Sequence, residues 1–104
     1  MGYSEKQHQH KVNAFEDITI RLRNLYEAKN RDYHDSFGQS FEKWGLPMSC
    51  IRLGDKLNRL ESFATAKEMQ VKDESVKDTL MDMANYAIMT LVELEMAYSA
   101  IKEE

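Results

Sequence analysis

Glu74, Asp78 and Asp82 follow one another at four-residue intervals, with Asn85 three further on, so on a helix these oxygen-bearing side chains project from one side. They can converge on one point. Carboxylates are hard oxygen ligands suited to Mg²⁺, which commonly sits between one or two carboxylates and a substrate phosphate. Glu74, Asp78 and Asp82 are therefore the candidate metal ligands and catalytic groups. The same residues also have structural uses. Glu74 and Asp78 suit a helix N-terminus, Asp78 can complete a capping box with Ser75, and Asp82, flanked by Met81 and Met83, needs a cation such as a buried arginine nearby.

A second group, Arg52, Asp55 and Arg59 with Lys56 at its edge, shares one side of a helix at spacings of three and four. The planar fork of arginine is the best side-chain match to phosphate, and two arginines about two turns apart can grip a polyphosphate or anchor the acidic stripe. The bland reading is a solvated face of mutual ion pairs. A third group is Lys29, Asp32 and Tyr33. Lys29 falls at the angular position of Leu22 and Leu25, so its ammonium either snorkels at the end of an apolar stripe or enters a cleft between helices. Asn85 and Tyr86 complete the candidate ligand-binding set. No nucleophile constellation and no glycine-rich phosphate loop is present. Any chemistry is then metal-assisted hydrolysis, with basic groups stabilising phosphate charge.

Three main helices must carry these groups. Phe15, Ile18, Leu22 and Leu25 recur at helical spacing and predict a first helix from about Lys11 to Arg31. The ten residues before it read as a polar tail in which His8 and His10 are either solvated or metal-binding. The segment from Asp32 to Gly45 holds Phe37, Phe41 and Trp44 and is expected to pack as a loop with one helical turn. Pro47 suits the first turn of a second helix, with Leu53, Leu57, Leu60 and Ala64 on its core face, fading near Lys67. The third helix is expected from Ser75 to about Lys102. Its stripe is Val76, Leu80, Met83, Ala87, Leu91, Leu94 and Ile101, with Met81, Ile88, Met89, Val92 and Met96 on the other side. A helix so apolar all round is expected to be buried on more than one side, so the anticipated fold is all-α, an antiparallel bundle completed by homo-oligomerisation. Methionines filling an irregular monomeric core are the alternative.

Bulk properties narrow the function classes. The chain has 104 residues, a formal charge of −4 and one cysteine, Cys50. One domain, residues 11–104, is the expectation. The negative charge argues against nucleic acid polymer or an anionic membrane as partner. A lone cysteine fits a reducing compartment, and no stretch approaches the roughly 20 apolar residues of a membrane span, so a soluble cytoplasmic protein is expected.

The motifs Lys29–Asp32–Tyr33 in KNRDY, Arg52–Asp55–Lys56–Arg59 in RLGDKLNR, and Glu74, Asp78, Asp82, Asn85 and Tyr86 in DESVKDTLMDMANYAIM resemble the nucleotide modification associated domain 1 family, found largely in bacteriophages and bacteria. The resemblance runs from about Lys29 to Glu95. It implies nucleotide metabolism or counter-defence, and host cytoplasm for a phage-encoded chain. A more distant likeness is to the all-α nucleoside triphosphate pyrophosphatases of the MazG kind, helical oligomers that bind Mg²⁺ through acidic helix motifs. This chain departs from their EExxE and ExxD motifs, with RLGDKLNRLE on the second helix and ExxxDxxxD on the third. That likeness implies Glu74, Asp78, Asp82 and Asp55 as ligand or metal contacts. Three functions follow as expectations: an Mg²⁺-dependent nucleotide pyrophosphohydrolase, a phage-type protein that sequesters a nucleotide intact, or a helical assembly module.

Overall fold

The computed structural model describes residues 2–65 and 73–103, with side chains described for 2–65 and 76–100. Among these residues every regular element is an α-helix: α1 Glu5–Asp32, α2 Ser36–Trp44, α3 Leu46–Thr65 and α4 Asp73–Glu103. Helix α1 starts six residues before the expected Lys11. The cause is local: Ser4 Oγ accepts from the Gln7 backbone N–H at 3.1 Å while Gln7 Oε1 accepts from the Ser4 N–H at 2.9 Å. This reciprocal capping box satisfies two donors that a helix start otherwise leaves open, so the polar segment expected as a tail is helical.

Helix α1 ends in two consecutive left-handed residues, His34 (φ 52°) and Asp35 (φ 59°). The Asp35 N–H reaches back to the Asn30 carbonyl at 2.9 Å, closing the last turn in the Schellman manner, and Gln39 Nε2 donates to the His34 carbonyl at 2.9 Å. The chain thereby reverses at once into α2. That nine-residue helix replaces the expected loop with one turn, and it buries Phe37 and Gly38. Gly38 is needed where it stands, because a Cβ there would lie 2.6 Å from the Asp35 carboxylate oxygens. Gly45 (φ 69°, ψ −157°) then turns the chain into α3, with Pro47 in the first turn as the sequence suggested.

Helices α3 and α4 run antiparallel, since Ser49 pairs with Thr90 and Lys56 with Asp82. The first pair is buried, its hydroxyl oxygens 2.7 Å apart. Thr90 commits its proton to the Tyr86 carbonyl at 2.8 Å, so the Ser49 hydroxyl must donate to Thr90. Small hydroxyl side chains at this point let the two helices approach closely. Helix α1 meets α4 through its C-terminal half, where Asn85 Nδ2 donates to the Leu22 carbonyl at 3.3 Å. Among the described residues four helices thus stand where three main helices were expected.

The core differs most from expectation. Among the described residues the buried apolar side chains are Leu22, Phe37 and Met48, and they share the interior with Ser49, Thr79, Asn85 and Thr90. On α4 the inward face is the polar one. Of its expected core stripe, Leu80, Leu91 and Leu94 are exposed, and on α1 Phe15 and Ile18 are exposed as well. The stripes were correctly grouped by spacing, but periodicity alone does not say which face meets the rest of the chain. Helix α4 begins at Asp73, two residues before the expected Ser75. The side chain of Ser75, on which the expected capping box depends, lies outside the described residues, as does that of Ile101.

Candidate functional site

All four described helices contribute residues to a common opening. On α1 and its C-cap, Tyr26, Lys29, Asn30 and Tyr33 recur at three- and four-residue steps, and on α4 Asp82, Asn85, Tyr86 and Met89 do the same. With Leu25, Ser36 and Phe37 from α1 and α2 and Arg52 from α3, they line a cleft of about 360 Å³. That is within the range of small-molecule sites. Phe37 and Tyr86 stack at its base, centroids 6.0 Å apart and planes inclined by 21°. The Arg52 guanidinium lies over the Tyr86 ring at 5.9 Å. Asn85 is buried and holds the Leu22 carbonyl, which ties α1 to α4 beside the cleft.

A smaller hollow of about 240 Å³ adjoins it, lined by Arg52, Asp55, Lys56, Arg59 and Tyr86. Arg52 and Tyr86 belong to both. The spacing of three and four along α3 therefore puts three cations at the edge of an aromatic cleft. Lys56 Nζ lies 2.9 Å from Asp82 Oδ2, with both side chains largely shielded. The cation that Asp82 needs is thus supplied, by a lysine where an arginine was anticipated.

Of the residues singled out in the sequence, Lys29, Tyr33, Arg52, Asp82, Asn85 and Tyr86 meet at the cleft, and Asp55, Lys56 and Arg59 at the adjoining hollow. Asp32 ends α1 and Asp78 is exposed on α4; neither lines the two cavities. The side chain of Glu74 lies outside the described residues. Tyr26, Asn30, Phe37, Ser36, Leu25 and Met89 were not singled out as ligand-binding residues, although Leu25, Phe37 and Met89 were expected to pack. Tyr26 and Asn30 precede Lys29 and Tyr33 by one helical step on the same face, a signal that was available. Phe37 carried no such signal, because its place depends on the reversal at His34 and Asp35.

Metal fit is a matter of donors. Among the described residues no three His, Cys, Asp or Glu side chains gather as a metal cage. Asp78 and Asp82 stand one turn apart on α4, the second already paired with Lys56. A Mg²⁺ held by these two would need its remaining oxygen ligands from phosphate or water, and Asp78 lines neither cavity.

Tyr26 in the cleft wall has acidic neighbours in Asp35 and Glu93. Burial, then the Asp35 carboxylate, then Glu93 push the Tyr26 phenol above its ordinary value, so it keeps its proton and remains a donor. Burial, then Asp35, then Glu42 likewise raise Glu93. No described helix is long and apolar enough to cross a membrane.

No curated protein and no solved structure matches the chain. The model of one family, described as nucleotide modification associated domain 1, matches residues 29–94, a span that holds the basic groove and all of the cleft lining except Leu25 and Tyr26. On a match over most of its length, the chain belongs to the nucleotide modification associated domain 1 family.

Proposed function

We propose that this chain binds a nucleotide, with the base and sugar in the aromatic cleft and the phosphates on the groove formed by Arg52, Lys56 and Arg59. The observation that carries this reading is the adjacency of the two sites through Arg52 and Tyr86. Aromatic faces suit a planar base, and amide groups such as Asn30 can read its edge. Guanidinium and ammonium groups suit phosphate oxygens. A net-negative chain that gathers three cations in one groove selects a small anion over a long polyanion. The family description supports a nucleotide-related role.

The reaction these groups best serve is hydrolysis of a nucleoside triphosphate to a monophosphate and pyrophosphate. Asp78 and Asp82, with Glu74 assisting, would hold Mg²⁺ against the phosphates, and the ion would supply charge neutralisation and an activated water. Lys29, Arg52, Lys56 and Arg59 orient the phosphates and oppose the charge that develops on them. This catalytic form rests on the α4 spacing and on the distant motif resemblance to MazG-type pyrophosphatases read from the sequence alone. The Lys56–Asp82 pair favours a second reading, sequestration of an intact nucleotide, because it neutralises Asp82 without a metal.

Calorimetric titration with a nucleoside and its mono-, di- and triphosphates, each with and without Mg²⁺, tests the proposal. Affinity should rise with phosphate number, and Arg59→Ala should cost about 1–2 kcal/mol with the phosphorylated ligands and nothing with the nucleoside. Equal affinity across the series, or none, overturns it.

A further inference from the structure

Among the exposed large apolar side chains, two groups form ordered stripes. On α4, Leu80, Leu91, Leu94 and Tyr98, with Ala84 and Ala87 between them, follow alternating steps of four and three, the spacing of a helix-packing seam. Leu91 and Tyr98 are 61% and 62% exposed, and with Leu94 they border a shallow groove of about 400 Å³. On α1, Val12, Phe15 and Ile18 continue the face that Leu22 buries against α4, yet Phe15 is 71% exposed. One apolar face therefore leaves the core still uncovered.

The amount of uncovered surface identifies what is missing. The chain exposes 8685 Å², whereas a folded monomer of its mass exposes roughly 6,100 Å². Its radius of gyration is 17.1 Å, against about 13 Å for a compact chain of this length. The surplus, about 2,600 Å² per chain and so twice that for a pair, reaches the upper end of what obligate homodimers hide in total, roughly 2,000–5,000 Å² or more. We propose that a second copy of this chain covers both stripes, the N-terminal half of α1 of each copy lying along the α4 seam of the other. The arrangement is reciprocal, as a two-fold dimer requires, and Phe15 fits the groove beside Leu91. On α4 the seam lies opposite Asp82, Tyr86 and Met89, so the second copy leaves the cleft open.

Sedimentation of the full chain across the micromolar range should give twice the chain mass. Phe15→Glu and Leu91→Glu should each raise the dissociation constant at least about thirtyfold. Both positions are exposed in a single chain, so a protein that is natively monomeric would tolerate either change. In a Cys50→Ser background, mixing chains carrying Phe15→Cys with chains carrying Leu91→Cys should yield a disulfide-linked dimer on mild oxidation, a readout that survives if the charged variants fail to fold. A chain that sediments as a monomer throughout overturns the proposal, whether or not it captures a different protein. So does an associated state indifferent to both charged substitutions, or cysteine pairs that link only like with like.

Discussion

At the level of single residues, the cleft depends on how its charges are compensated. Lys56 and Asp82 face one another at 2.9 Å with both side chains mostly shielded from water. Removing either charge leaves the other partly desolvated, so Lys56→Met and Asp82→Asn should each destabilise by about 1 kcal/mol, and the double variant by less than their sum, in denaturant melts analysed as a cycle. A metal-binding Asp82 adds a separate defect: Asp82→Asn would then lose Mg²⁺-dependent binding beyond what its stability change explains. Glu93 makes a different prediction. Its folded-state affinity for a proton is raised by burial, Asp35 and Glu42, so the fold binds more protons than the unfolded chain. Stability therefore falls as pH rises from the ordinary carboxylate value through the raised one, and the penalty persists above it. Glu93→Gln should raise the melting temperature at neutral pH and flatten its decline above the carboxylate range. The charged members of the site were legible in the sequence because helical spacing alone groups Arg52, Lys56 and Arg59. Phe37 was not, because it enters from a helix placed by the chain reversal at His34 and Asp35, which spacing does not reveal.

At the level of elements, the turns decide where the helices point. Gly45 occupies φ 69°, ψ −157°, a region open essentially to glycine, while a Cβ there would meet only the Pro47 ring at 3.8 Å. Gly45→Ala should thus cost about 1–3 kcal/mol through backbone conformation, with no clash to relieve, and urea unfolding would show it as a lower midpoint at unchanged slope. The ends of helices were legible to different degrees. Pro47 marked the start of α3, whereas Ser4 and Gln7 carried a capping-box signal inside a segment otherwise too polar to read as helix. The stripes on α1 and α4 were legible as stripes. Their orientation was not, because on α4 the inward face is held by hydroxyl and amide groups, Thr79, Asn85 and Thr90, that mean hydropathy counts as outward.

At the level of the whole molecule, an extended set of helices keeps a polar, aromatic-lined cleft on one side of α4 and an apolar seam on the other. The proposed association through that seam would make stability depend on concentration, so the melting temperature of the chain should rise with protein concentration. Nucleotide binding raises it independently, since a ligand of the folded state stabilises it by mass action. Thermal melting at fixed protein concentration, against nucleoside triphosphates and cyclic or ADP-ribose-type nucleotides with and without Mg²⁺, followed by chromatography of each mixture, therefore tests nucleotide binding most directly. The account predicts a rise of several degrees with at least one phosphorylated ligand, lost in Arg52→Ala. Conversion of that ligand only with Mg²⁺ marks the hydrolase, and its recovery intact marks sequestration. No shift with any nucleotide, from a protein that melts cooperatively, would contradict it.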